Sequence, residues 1–142
     1  MSISKVTSYP TLDLSDYYIL GKNIKGYFEN NGHSMQFNPD EDQKFTISGG
    51  PLDGEYQFAQ LHFHWGSDSG KGSEHTVDGS SFPLEMHMVH TNTKYNGTEW
   101  KNHKDGLAVI GIFADIGHRN SRFFKVQARY FFFVLKEMKI CE

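Results

Sequence analysis

The clearest chemical signal in the sequence is carried by three histidines. His62 and His64 stand one residue apart in Gln60-Leu61-His62-Phe63-His64-Trp65. On an extended strand alternate side chains share a face. Gln60, His62 and His64 would then point one way, and Leu61, Phe63 and Trp65 the other. Two imidazoles on one face can reach a single metal ion, and a third ligand must come from a neighbouring strand. Leu84-Glu85-Met86-His87-Met88-Val89-His90 is the natural source, with Glu85 and His87 on one face by the same parity. Three histidines with a fourth position open are the pattern of catalytic rather than structural zinc. Imidazole also suits copper, iron and nickel, so the residues alone do not name the metal. Gln60 and Glu85 each precede a candidate ligand by two residues. Both are placed to accept the hydrogen bond that a ligating histidine donates from its other ring nitrogen.

The remaining histidines read differently. His75, His103 and His118 lie in polar or turn contexts and are expected to be ordinary surface residues. His90 has the opposite parity to His87 and should pack on the other face of its strand. No serine sits in a Gly-x-Ser-x-Gly elbow, and no glycine-rich phosphate loop is present.

The elements that must hold these residues read as mainly β, with few short helices. Candidate strands cover residues 26–29, 34–37, 45–47, 57–65, 84–91 and 107–114, punctuated by Asn-Gly, Asn-Pro-Asp and Gly/Ser-rich turn signals. Residues 107–114 are almost wholly apolar, which predicts a central strand covered on both faces. The 142 residues fit one domain. A net charge of -3 gives no argument for nucleic acid or a membrane surface as partner. The single cysteine, Cys141, excludes an internal disulfide and a cysteine-rich zinc site. No segment has the length of a membrane-spanning helix, and Met1-Ser2-Ile3-Ser4-Lys5 lacks a leader's apolar run, so a cytoplasmic setting is expected. Composition shifts near residue 118. Residues 119–142 hold six of the 14 basic residues and two of the 17 acidic ones, and include the apolar run Tyr130-Phe131-Phe132-Phe133-Val134-Leu135. A division into residues 1–118 and a basic, aromatic tail 119–142 follows.

Residues 49–92 resemble the centre of an α-class carbonic anhydrase. The resemblance rests on Gly49-Gly50-Pro51-Leu52-Asp53-Gly54, residues 60–67, Gly72-Ser73-Glu74-His75-Thr76-Val77-Asp78 and Glu85-Met86-His87-Met88-Val89-His90. Asn30-Asn31-Gly32-His33 upstream and residues 105–113 downstream fit the same pattern, and the likeness runs from about Tyr17 to Gly117. It implies part of that family's fold, a twisted and mostly antiparallel central sheet. Family members continue beyond the position of Gly117, so the N-terminal and central part of the domain is implied, with the C-terminal part missing.

The implied activity is zinc-dependent, reversible hydration of carbon dioxide to bicarbonate and a proton. The resemblance makes His62, His64 and His87 the Zn2+ ligands, with Gln60 and Glu85 their hydrogen-bond acceptors. His33 resembles a proton shuttle, and Asn31 a residue that orders the water path. Val89 and Val109 resemble the apolar wall beside the metal. Glu74 resembles a buried carboxylate that orients a threonine hydroxyl and, through it, the attacking oxygen. That threonine lies in the missing part. Alternatives are a non-catalytic relative of the family and an inactive truncated product. Self-association through an exposed sheet edge is a further expectation.

Overall fold

A computed structural model describes residues 2–3, 11–14 and 24–117 of the chain. The proposed tail, the aromatic run at 130–135, Cys141 and His118 lie outside the described residues. Among the described residues nine strands form two sheets: β1 (Ser2–Ile3), β2 (Leu12–Asp13), β3 (Gly26–Asn30), β4 (Met35–Pro39), β5 (Thr46–Gly49), β6 (Tyr56–Trp65), β7 (Thr76–Val77), β8 (Leu84–Asn92) and β9 (Leu107–Ala114). One short 3-10 helix, Glu99–Asn102, is the only helical segment among the described residues. The architecture is mainly β and antiparallel, as expected; the parallel pairing of β1 with β7 is the exception. Strand ends differ from the sequence expectation by one or two residues. No helix among the described residues is long and apolar enough to cross a membrane.

β6 organises the main sheet. One of its edges pairs with β5 near its start and with β4 further along, and its other edge pairs with β8 over nearly its whole length. The 66–83 connection is too long for a hairpin turn, yet the two strands lie side by side, as the sequence suggested. The register puts His62 opposite His87, His64 opposite Glu85 and Gln60 opposite Val89. β4 adds Gln36 beside His62, and β9 adds Gly111 beside His87.

The core lies on the opposite face. Met35, Ile47, Tyr56, Phe58 and Phe63 are its buried apolar residues. Tyr56 and Phe58 have even numbers, as do His62 and His64, and a regular strand would put all four on one face. A bulge separates them. Phe58 pairs with His90 and Gln60 with Val89, so Ala59 is the extra residue on β6. The phase flips there. Tyr56 and Phe58 go into the core with Phe63, while Gln60, His62 and His64 emerge on the other side. His90 is fully buried against Phe58, with ring centroids 5.7 Å apart, on the face its parity predicted.

Two features of the long connection place what lies near the histidines. Asp78 and Gly79 both have positive φ and close a two-residue turn, with Val77 and Ser80 exchanging both backbone hydrogen bonds. Gly72 lets the chain pass directly against the carbonyl of Pro83, where a Cβ would overlap it. Ser73 then bonds to Phe82 twice, through its backbone N–H and through its hydroxyl oxygen, which accepts the Phe82 N–H. The segment carrying Glu74 and His75 is thereby folded back beside β8.

One expectation is corrected. Among the described residues β9 is not a central strand covered on both faces. Within them it pairs with β8 alone, and Leu107, Val109 and Ile112 are 44%, 51% and 43% exposed. An apolar run without alternation reports that a strand can be buried, but burial needs neighbours that composition does not supply.

The bulge yields the first expected outcome. Deleting Ala59 forces either Tyr56 and Phe58 or the histidine pair onto the wrong face. Thermal melts should show a far larger loss of stability for this deletion than for Ala59→Gly. Equal melts would show that the phase flip is dispensable.

Candidate metal centre

The site is built on β6 and β8, where the register brings three imidazoles together. Ring centroids are 4.9 Å apart for His62 and His64, 5.2 Å for His62 and His87, and 4.6 Å for His64 and His87. One nitrogen from each ring lies within 4.8 Å of the others. His64 Nε2 and His87 Nδ1 are 3.2 Å apart. Two ligands each about 2.0–2.1 Å from a tetrahedral zinc are about 3.3 Å apart, so this spacing suits one shared ion.

The nitrogens facing away from that point are held. His62 Nδ1 is 2.9 Å from Gln60 Oε1, which leaves Nε2 turned to the site. His87 Nε2 is 2.8 Å from Glu85 Oε1, which leaves Nδ1 turned to the site. Gln60 and Glu85 thus sit where the two-residue offsets placed them. Among the described residues no hydrogen bond reaches His64 Nδ1.

Glu85 is the most constrained group here, at 1% exposure. Its Oε1 accepts hydrogen bonds from His87 Nε2 and His75 Nδ1, both at 2.8 Å, and its Oε2 accepts the backbone N–H of His75 at 2.9 Å. Burial alone would push its carboxyl up. The His75 backbone N–H and the rings of His87 and His75 outweigh that and hold it down at about 2. An ionised Glu85 can only accept, so the facing nitrogens of His75 and His87 carry the protons. Gly111 completes the fit, because a Cβ there would come within 3.0 Å of Glu85 Oε1.

His75 therefore corrects an expectation. It is not an ordinary surface histidine but the partner that steadies Glu85. The sequence offered a weak signal, its place beside Glu74 in a motif already singled out. What was missing was the turn at Asp78-Gly79, which brings residue 75 back to residue 85. His103 is exposed, as expected, and stacks on Tyr95 with centroids 3.8 Å apart.

Glu74 also departs from expectation. Its side chain is 55% exposed rather than buried, and Oε2 lies 3.4 Å from His64 Nε2 and 3.9 Å from His87 Nδ1. His62 and His64 are held below the usual histidine range, chiefly by burial. The neighbouring imidazoles His64 and His87 add to this for His62, while Glu74 opposes it for His64. Both rings are neutral near pH 7, the form that binds metal.

An open cleft of about 400 Å3 joins Asn31, His33, Gln36 and Glu74 to His62 and His64. Asn31 shapes its rim. Its Oδ1 accepts the backbone N–H groups of His33 and Ser34, and its Nδ2 donates to Gln36 Oε1. His33 is exposed on this turn. Val89 and Val109 are paired neighbours on the histidine face, two residues along from His87 and Gly111, but they do not line this cleft.

Two outcomes follow. Glu85→Gln replaces an obligate acceptor by an amide, and metal affinity should fall roughly 10- to 100-fold. Competition with a chelator measures this, and unchanged affinity would remove Glu85 from the account. The second concerns acid. The folded chain resists protonation at His62 and His64, so metal-free stability should fall as pH drops below 6.5, their unperturbed value. The folded pKa of Glu85 is depressed, so its contribution is present above 4.5 and is lost as pH falls towards about 2. Both effects have one sign. Urea midpoints that rise on acidification would contradict it.

The geometry agrees with comparisons to known proteins. The chain is 55% identical over 92 residues to carbonic anhydrase 7 of Mus musculus, covering 62% of this chain and 34% of that protein. It is 53% identical over 92 residues to carbonic anhydrase 7 of Homo sapiens, with the same coverage, and 48% identical over 96 residues to human carbonic anhydrase 3, covering 66% and 37%. The chain thus spans about a third of the length of these relatives. The sequence pattern of the family described as eukaryotic-type carbonic anhydrase matches residues 2–133. With three imidazoles converging where they could hold one metal ion, the chain belongs to the eukaryotic-type carbonic anhydrase family.

Proposed function

We propose that this chain binds one Zn2+ through His62 Nε2, His64 Nε2 and His87 Nδ1, and that the site serves the reversible hydration of carbon dioxide to bicarbonate. The observation that carries this reading is the tautomer control. Gln60 and Glu85 hold the outward nitrogens of His62 and His87, so their lone pairs face one point. Zinc held there would polarise a bound water and lower its pKa towards neutrality, an effect for which carbonic anhydrases are themselves the standard example.

The chain's own residues take the remaining roles. His33, exposed on the same cleft, carries the proton to solvent, a task imidazole suits because it can both accept and donate a proton. Asn31 fixes the turn that presents His33 and orders water through Gln36. Val89 and Val109, outside the cleft but on the same sheet face as His87, are the apolar residues against which carbon dioxide would rest. Glu74 reaches the metal position from the cleft side. Glu85, held by His75, keeps His87 from rotating. The cytoplasmic setting belongs to the same proposal, supported by a sequence whose one cysteine needs no oxidising compartment. So does the division at residue 118, supported by the change in charge. Self-association through β9 is proposed on its exposed Leu107 and Val109.

A second reading, metal binding without turnover, is favoured by the half-exposed Val109, since an apolar wall open to water would hold carbon dioxide poorly. Zinc stoichiometry and carbon dioxide hydration, measured on the same preparation, separate the two. About one zinc per chain with sulfonamide-sensitive hydration is expected, and both should be lost in His62→Ala. Full hydration in that variant would sink the catalytic proposal, and zinc without hydration would select the second reading.

A further inference from the structure

Asn-Gly occurs twice in the sequence, at Asn31-Gly32 and at Asn96-Gly97. The pair carries a reaction of its own. A glycine has no Cβ to shield its backbone nitrogen, and that nitrogen can swing onto the side-chain carbonyl carbon of the asparagine before it. Asparagine is accordingly among the thermolabile residues. Both asparagines are exposed, so exposure does not separate the two pairs. Hydrogen bonding does.

Asn31 is locked. Its Oδ1 accepts the backbone N–H groups of His33 and Ser34 at 2.9 and 2.8 Å, and its Nδ2 donates to Gln36 Oε1 at 3.1 Å. The nucleophile is occupied as well, since the Gly32 N–H donates to Asn30 Oδ1 at 2.9 Å. These bonds must break before Gly32 N can reach Asn31 Cγ. Asn96 has none of them. Among the described residues no hydrogen bond reaches its side-chain amide or the Gly97 N–H. Only its backbone carbonyl is engaged, accepting the Glu99 N–H at 3.0 Å in the turn that leads into the 3-10 helix. Gly97 has a φ of 54°, and a Cβ built there would meet nothing within 4 Å. The reacting atoms can therefore approach without displacing a neighbour.

We propose that Asn96 is a site of spontaneous covalent modification, and that the fold protects Asn31 from the same reaction. Gly97 N forms a bond to Asn96 Cγ, the Cγ–Nδ2 bond breaks, and ammonia leaves with the proton that Gly97 N gives up. Water then opens the resulting succinimide ring at either carbonyl, giving aspartate or isoaspartate. No oxidant or cofactor is required. Each event places a new carboxylate on the loop between β8 and β9, three residues before Glu99. The isoaspartyl product also adds a methylene to the main chain, inside the turn that the Asn96 carbonyl closes.

The test follows the full chain over days in mildly alkaline buffer made with heavy-oxygen water, both folded and in urea. Peptide mass spectrometry and isoaspartate methyltransferase labelling read each asparagine separately. In the folded chain Asn96 should gain one heavy oxygen and the isoaspartyl label at least about tenfold faster than Asn31, where several hydrogen bonds must break first. In urea the two rates should converge. Gly97→Ala, whose Cβ shields the nucleophile, should slow the reaction at Asn96 in both states. A folded chain that modifies Asn31 as fast as Asn96, or that leaves Asn96 intact while urea releases both, would overturn the inference. So would a rate ratio that persists in urea, because local sequence and not the fold would then set it.

Discussion

Glu85 is the group on which the rest of the site depends. A carboxylate at 1% exposure is costly to leave charged unless its oxygens are satisfied. Here it accepts three hydrogen bonds, and all three come from histidines: two from His75 and one from His87. The arrangement has a direction. Because Glu85 stays ionised, the proton on His87 sits at Nε2, and the lone pair at Nδ1 faces the other two imidazoles. The lone pair that His87 offers is thus set by a group behind its ring, on the side away from the other two imidazoles.

Backbone choices make that interaction available. Antiparallel pairing places Glu85 and His87 on one face of β8, with His64 and His62 opposite them. Gly111 on β9 leaves room for the carboxylate, since a Cβ would crowd Glu85 Oε1. The Asp78-Gly79 turn and the close passage at Gly72 bring His75 back to donate twice. The same fold-back carries Glu74 to the cleft side of the histidines, so one loop supplies both the clamp on His87 and a carboxylate beside His64.

The bulge at Ala59 solves a different conflict. The core needs Tyr56, Phe58 and Phe63 on one face, and the site needs Gln60, His62 and His64 on the other. A strand of period two cannot satisfy both without one extra residue. Reading the parity of 60–65 alone gave the right faces. Extending it back to Tyr56 would have failed, because nothing in Phe58-Ala59-Gln60 announces the phase flip.

The sequence by itself determined the three histidines as candidate ligands, the mainly β character of the fold and the two-residue offsets of Gln60 and Glu85. These are local properties: strand parity decides which side chains share a face, and residue type decides which atoms can ligate. Only the tertiary structure decided the role of His75, the position of Glu74 and the surroundings of β9. His75 and Glu85 meet through a turn and a close glycine contact, and Glu74 reaches the histidines by the same route, so their roles depend on chain reversal, not on spacing. β9 has the composition of a covered strand, yet burial is a property of neighbours. The three histidines could be named from their own residues, while what holds His87, and what lies beside His64, came from how the intervening chain folds back.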